Sequence, residues 1–143
     1  MTDKTLKNIF LREFHQENDA KFVPFAGYEM PINYKKGIIK EHLHVREKVG
    51  IFDVSHMGQI LIPVNEINLS SLEVYIPLNL KTIPINKCHY SFMLNDKGGI
   101  IDDIMISKLN INNQENIYIV YNASRKNILD EIFSEICNNI III

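Results

Sequence analysis

The sequence predicts an α+β fold, an antiparallel sheet with helices on one face. Three observations carry this expectation. Two apolar runs, residues 89–94 and 100–109, flank Asn95-Asp96-Lys97-Gly98-Gly99, and a five-residue loop bearing glycine between such runs reads as a hairpin. A further strand-like run follows at residues 117–121 with no helix between. Helical stripes lie before and after this block instead of alternating with each strand. The length of 143 residues, with 46% apolar and 22% charged side chains, suits one globular domain or two small lobes.

Each element has its own signal. Leu6, Ile9, Phe10 and Phe14 fall at helical spacing, so residues 4–17 read as a first helix, with Asp3 or Thr5 as its cap. Residues 22–31 carry aromatics, Gly27 and two prolines and read as an ordered, turn-rich loop. Residues 36–49 read as a second helix, because Ile39/Leu43 and Val45/Val49 are i,i+4 pairs and Gly50 suits the C′ position. After Gly50 the period becomes strand-like, at Ile51 to Val54 and again at Gly58 to Val64. Residues 66–86, broken by Pro77 and Pro84, read as a short helix and a loop. Ile128, Leu129, Ile132, Phe133 and Ile136 form the apolar stripe of a last helix over residues 124–137, with Ser124 as candidate cap. Ile140 to Ile143 resemble a strand begun and cut off. Such an apolar edge is a liability, so more chain is expected to follow.

Several function classes find no support. Net charge is -2 and the basic residues are scattered, so no nucleic-acid surface is expected. No apolar run is long enough to span a membrane. Cys88 and Cys137 fit neither a disulfide framework nor a metal spacing and read as free thiols. His42 and His44, two apart on a helix, face different directions and cannot share a metal, so no metal site is expected. The N-terminus lacks a leader signature. The simplest compartment is a bacterial cytoplasm, or the mitochondrial matrix for a processed eukaryotic chain.

Three segments break local rules. Asp102-Asp103 interrupts an isoleucine-rich strand, where Asp is depleted. Adjacent strand residues point to opposite faces, so either one carboxylate is aimed at a core or a cavity and must be paired there, or this is an edge strand with two solvated acids just past a turn. Alternation cannot choose between them, because both faces of the run are apolar. Phe52-Asp53-Val54-Ser55-His56-Met57-Gly58 invites a triad reading, but local turn chemistry explains Asp53 and Ser55 better. Val120-Tyr121-Asn122-Ala123 ends a strand in Asn just before a helix. Asn122 is either a cap or a ligand amide offering donor and acceptor together.

These segments coincide with the signatures of a known family. Residues 21–31, Lys-Phe-Val-Pro-Phe-Ala-Gly-Tyr-Glu-Met-Pro, resemble a segment of the glycine-cleavage T-proteins, with Tyr28 in place of the usual Trp. Glu41-His42 through Val45-Arg46, then Val49-Gly50-Ile51-Phe52-Asp53-Val54-Ser55-His56-Met57-Gly58, resemble that family's central motif. Tyr90-Ser91, Asn95, Gly98-Gly99 and Asp102-Asp103 resemble its hairpin, and Asn122-Ala123 the close of its next strand. The motifs keep their order and spacing from residue 6 to about 137. Residues 63–88 carry no matching motif.

The resemblance implies a tetrahydrofolate-dependent aminomethyltransferase of the glycine cleavage system. Such an enzyme moves an aminomethyl group from lipoylated H-protein to tetrahydrofolate and releases ammonia. It implies Asp103 as the catalytic acid, and Met57, Tyr90, Asp103 and Asn122 as folate-binding residues. It implies residues 1–57 as part of a first domain that later sequence completes in the family. Residues 58–143 are then a ferredoxin-like α+β lobe bearing part of the folate pocket. Family chains are well over twice this length, which leaves two alternatives: a truncated or split folate-binding fragment without independent activity, or a non-catalytic folate-binding regulator. The glycine and cysteine motif of the superfamily's iron–sulfur assembly branch is missing, which weighs against the regulator.

Overall fold

In the computed structural model, residues 5–143 are described. The expected Asp3 cap lies outside them. The chain divides into two compact units, Met1–His56 and Met57–Ile143.

The first unit is a three-stranded sheet with two helices. Strand β1 (Lys7–Asn8) lies parallel to β3 (Tyr28–Asn33), and β2 (Lys21–Phe25) pairs with the other edge of β3. The single helix expected over residues 4–17 is not formed. Lys7 is drawn into the sheet, donating its N–H to the Gly27 carbonyl at 2.9 Å, and only α1 (Arg12–Glu17) is helical. The loop expected at residues 22–31 is also a misreading, for β2 and β3 form a hairpin there. Its two-residue turn is Ala26-Gly27, both at positive φ (49° and 83°), the geometry that matches the twist of flanking strands. The prolines are tolerated because Pro24 lies on an edge strand and Pro31 lies beyond the reach of the two-residue β1. Helix α2 (Ile38–Glu47) occupies the expected stretch, while residues 51–54 form no strand.

The second unit holds the main hydrophobic core. Its strands are β4 (Gly58–Pro63), β5 (Cys88–Leu94), β6 (Ile100–Ile111), β7 (Gln114–Tyr121) and β8 (Ile141–Ile142). The sheet order is β5-β6-β7-β4-β8, and every neighbouring pair is antiparallel. Strand β4 sits between β7 and β8, which α4 (Lys126–Ile136) connects, the split arrangement of a ferredoxin-like lobe. Helix α3 (Glu66–Tyr75) is capped by Asn65, whose side-chain oxygen accepts from the Asn68 N–H at 2.8 Å. Leu69 and Leu72 of α3 and Leu129 and Phe133 of α4 pack with Ile60, Ile62, Ile104, Ile106, Ile117 and Ile119 from one face of the sheet. The antiparallel sheet with helices on one face is therefore as the sequence predicts. Ser124 does not cap α4: a 3-10 turn, Ala123–Arg125, precedes the helix and begins at Asn122.

Candidate functional site

The open face of the second sheet and the sheet end beside it carry the folate-binding residues that the resemblance implies. The pleat separates the two aspartates. Asp102 points with Ile104 and Ile106 into the core face and is 7% exposed, while Asp103 points outward with the exposed Met105. Asp103 stands opposite Phe92, and Tyr90 opposite Met105. Tyr90 and Phe92 meet edge to face, with ring centroids 5.3 Å apart. The Tyr90 hydroxyl lies 3.4 Å from Asp103 Oδ2, a long donor contact. Partial desolvation, then the nearby Asp103 carboxylate, push the Tyr90 phenol above its ordinary pKa, so it stays a proton donor.

Asn122 ties the group together. Lying just past the end of β7, it is confined to neither face and reaches both carboxylates. Its backbone N–H donates to Asp102 Oδ2 at 2.9 Å. Its Nδ2 donates to Asp102 Oδ1 at 2.8 Å and Asp103 Oδ1 at 3.0 Å. Ile104, Tyr121 and Gly58 are in register across β6, β7 and β4. Asp103, Asn122 and Met57 each sit one residue beyond that row, so the half-buried Met57 belongs to the same end of the sheet. Hydrogen bonds thus join Tyr90, Asp103 and Asn122, and register alone brings Met57 to their level. Asp102 is the site-building residue the sequence could not choose, because apolar neighbours on both faces hid its direction.

A second polar constellation lies in the first unit. His15, 4% exposed, has Nε2 2.9 Å from Asp53 Oδ2 and Nδ1 2.6 Å from the Tyr34 hydroxyl. A neutral imidazole satisfies both, donating to Asp53 and accepting from Tyr34. Asp53 Oδ1 also accepts the Ser55 backbone N–H at 2.9 Å, the local turn expected of that segment. Burial works to raise the Asp53 carboxyl, but the hydrogen bonds from Ser55 and His15 outweigh it and hold the group below its ordinary pKa. The histidine bound to Asp53 is therefore His15, not His56 of the same motif, and 38 residues separate the pair. The cluster borders a cavity of about 750 Å³ lined by Phe14, Met30, Ile32, Phe52 and Val54 among others.

A sheet with one face packed on helices and the other presenting an anchored carboxylate beside aromatic rings is the frame of an α+β domain. Comparison with known proteins gives that frame a family. Residues 11–139 match the model of the GCVT N-terminal domain. The chain is 45% identical over 118 residues to a mitochondrial aminomethyltransferase of Dictyostelium discoideum, covering 82% of this chain and 28% of that protein. It is 37% identical over 123 residues to an aminomethyltransferase of Clostridium botulinum, covering 86% of this chain and 32% of that one. The crystal structure of the glycine cleavage system aminomethyltransferase T from Bartonella henselae superposes with a TM-score of 0.86 at 31% identity, over 96% of this chain and 38% of that chain. The chain belongs to the aminomethyltransferase (T-protein) family of the glycine cleavage system. It spans 28–32% of the length of these curated relatives. Among the described residues, no helix is long and apolar enough to cross a membrane.

Proposed function

We propose that this chain supplies the folate-binding acid of a tetrahydrofolate-dependent aminomethyltransferase. The observation that carries the reading is Asp103, an outward carboxylate held by Asn122 at 3.0 Å and approached by Tyr90 next to the Phe92 ring. A flat heterocycle with N–H groups on its edge suits this set: aromatic walls at Tyr90 and Phe92, a thioether at Met57, and an acceptor carboxylate at Asp103. Asp103 binds tetrahydrofolate close to its reacting nitrogens and makes N5 a better nucleophile. The carbon–sulfur bond to the lipoyl arm of H-protein breaks, the methylene carbon becomes bonded to N5 and N10, and ammonia leaves. Bacterial cytoplasm and mitochondrial matrix are the compartments that this chemistry fits.

Ammonia release from aminomethyl-loaded H-protein and tetrahydrofolate tests the assignment. Asp103→Asn is expected to lower the rate by roughly 10²–10⁴-fold, the usual worth of a positioned acid or base. An unchanged rate would remove Asp103 from the role.

A second reading, a fragment that depends on a complementing chain, is favoured by the first unit. Phe10 (90% exposed), Ile51 (99%) and Val49 (77%) leave its surface apolar. Large apolar side chains left this exposed suit a surface that another chain covers. On this reading the chain alone turns over poorly, and activity rises when the length beyond the matched part of a relative is co-expressed with it. Full turnover by the isolated chain would overturn this reading and leave the first standing.

A further inference from the structure

Asp102 is not among the ligand contacts proposed above, yet it is the carboxylate that the fold buries there. At 7% exposure it accepts two bonds from a single residue, the Asn122 backbone N–H at 2.9 Å and the Asn122 side-chain amide at 2.8 Å. The same amide nitrogen reaches Asp103 Oδ1 at 3.0 Å. An amide nitrogen carries two hydrogens, and here both are committed to carboxylates. The opposite flip would turn the amide oxygen towards two acceptor groups, so chemistry dictates the orientation. What Asn122 has left to offer a ligand is its carbonyl oxygen. Offering donor and acceptor together, as the sequence allowed, is no longer open to it.

We infer that Asp102 is a positioning residue. It clamps Asn122 at backbone and side chain, so that Asn122 steadies Asp103 and turns its carbonyl oxygen towards an N–H donor on the edge of the ligand. The clamp itself stands on the geometry alone; the nature of the ligand rests on the folate reading. The pleat explains the need for it. Asp103 is exposed on the open face and can swing, whereas Asp102 is locked by the core. Asn122 transmits the rigidity of the buried carboxylate to the exposed one. Charge-assisted bonds, roughly twice as strong as neutral ones, suit that task.

Two measurements on the full chain test this. The first needs no ligand. In ¹⁵N nuclear magnetic resonance spectra, the two side-chain amide hydrogens of Asn122 are expected well apart from those of the exposed Asn127. In Asp102→Ala they collapse towards the Asn127 positions. In Asp102→Asn, which keeps one acceptor of the same size, they move only part of the way. Asn122 signals indifferent to both substitutions overturn the clamp, and circular dichroism establishes that each variant is folded.

The second measurement is a double-mutant cycle on tetrahydrofolate binding by calorimetry. Asp102→Asn is expected to weaken binding about tenfold, the lower range for hydrogen bonds to a charged group. In an Asn122→Ala background the same substitution is expected to change binding by no more than about twofold, because its effect passes through Asn122. Additive losses would mean that Asp102 acts by general stabilisation, and would overturn the inference. Wild-type chain that shows the amide signature but binds no tetrahydrofolate, alone or co-expressed with the length beyond the matched part of a relative, would refute the folate reading and leave the clamp intact.

Discussion

The second unit buries Tyr121, Phe133 and Leu72 completely, whereas in the first unit Ile51 stands 99% exposed and Phe10 90%. Both stretches have apolar side chains in quantity. They differ in whether those side chains find a common layer. In the second unit, α3 and α4 close over one face of a five-stranded sheet, and alternate residues of β4, β6 and β7 fill the space between. In the first unit the sheet has three strands, one of them two residues long, and α2 buries none of its residues. Order there leans on directed polar bonds, above all His15 between Tyr34 and Asp53. Abundance of apolar residues therefore does not make a core; a second layer does.

The widest separation between the units should come from truncating an apolar side chain in each. Phe133→Ala is expected to cost about 3–5 kcal/mol in urea unfolding, since it empties a fully buried aromatic site. Ile51→Ala is expected to stay within about 0.5 kcal/mol. Equal costs would break the comparison.

A smaller effect is expected at the start of β4. A Cβ added at Gly58 would sit 2.1 Å from the ring of Tyr121, which is itself locked by a hydrogen bond from its hydroxyl to Asp130. Gly58→Ala should cost about 1–3 kcal/mol by overpacking and lower the thermal midpoint. Wild-type stability in that variant would show the register between β4 and β7 to be softer than described.

The polar latch of the first unit should give a change no larger than that at Gly58, and one dependent on pH. His15→Ala leaves Asp53 and Tyr34 each short of a buried partner, at a cost of about 1–3 kcal/mol. Because the folded carboxyl of Asp53 lies below its ordinary value, its contribution is complete above that ordinary value. It is lost as pH falls through the lowered one. Protection of the Ser55 amide, its exchange rate relative to the intrinsic rate at the same pH, should therefore fall towards acid, and Asp53→Asn should remove that acid limb. Protection that follows the same acid profile in Asp53→Asn would assign the effect to another group.

Legibility in the sequence followed the range of the interactions. The hairpin of β5 and β6 could be read because its turn is local. Asn95 Oδ1 accepts from the Lys97 and Gly99 N–H groups, and Gly98 takes a positive φ of 74°. Helix α4 could be read because Leu129, Phe133 and their neighbours repeat at its period. The hairpin of β2 and β3 was masked by Pro24 and Pro31, which argue against strands until their edge positions are known. Strand β1 was masked because Leu6, Ile9, Phe10 and Phe14 mimic a helical stripe, though Phe10 and Phe14 are exposed. The His15–Asp53 pair left no trace in spacing, as its members are distant in the chain and meet only in the fold.

From the residues alone follow the α+β class, the helices α2 to α4, the central hairpin and, through ordered motifs, the family. These depend on local periodicity, turn chemistry and residue order, all of which are written along the chain. The tertiary structure alone decided which aspartate faces the open sheet, since two apolar faces look alike until helices cover one of them. It also decided the orientation of Asn122. That amide could have faced either way at the end of its strand. The juxtaposition of Asp102 and Asp103, one on each side of the pleat, left a single arrangement in which both carboxylates are satisfied.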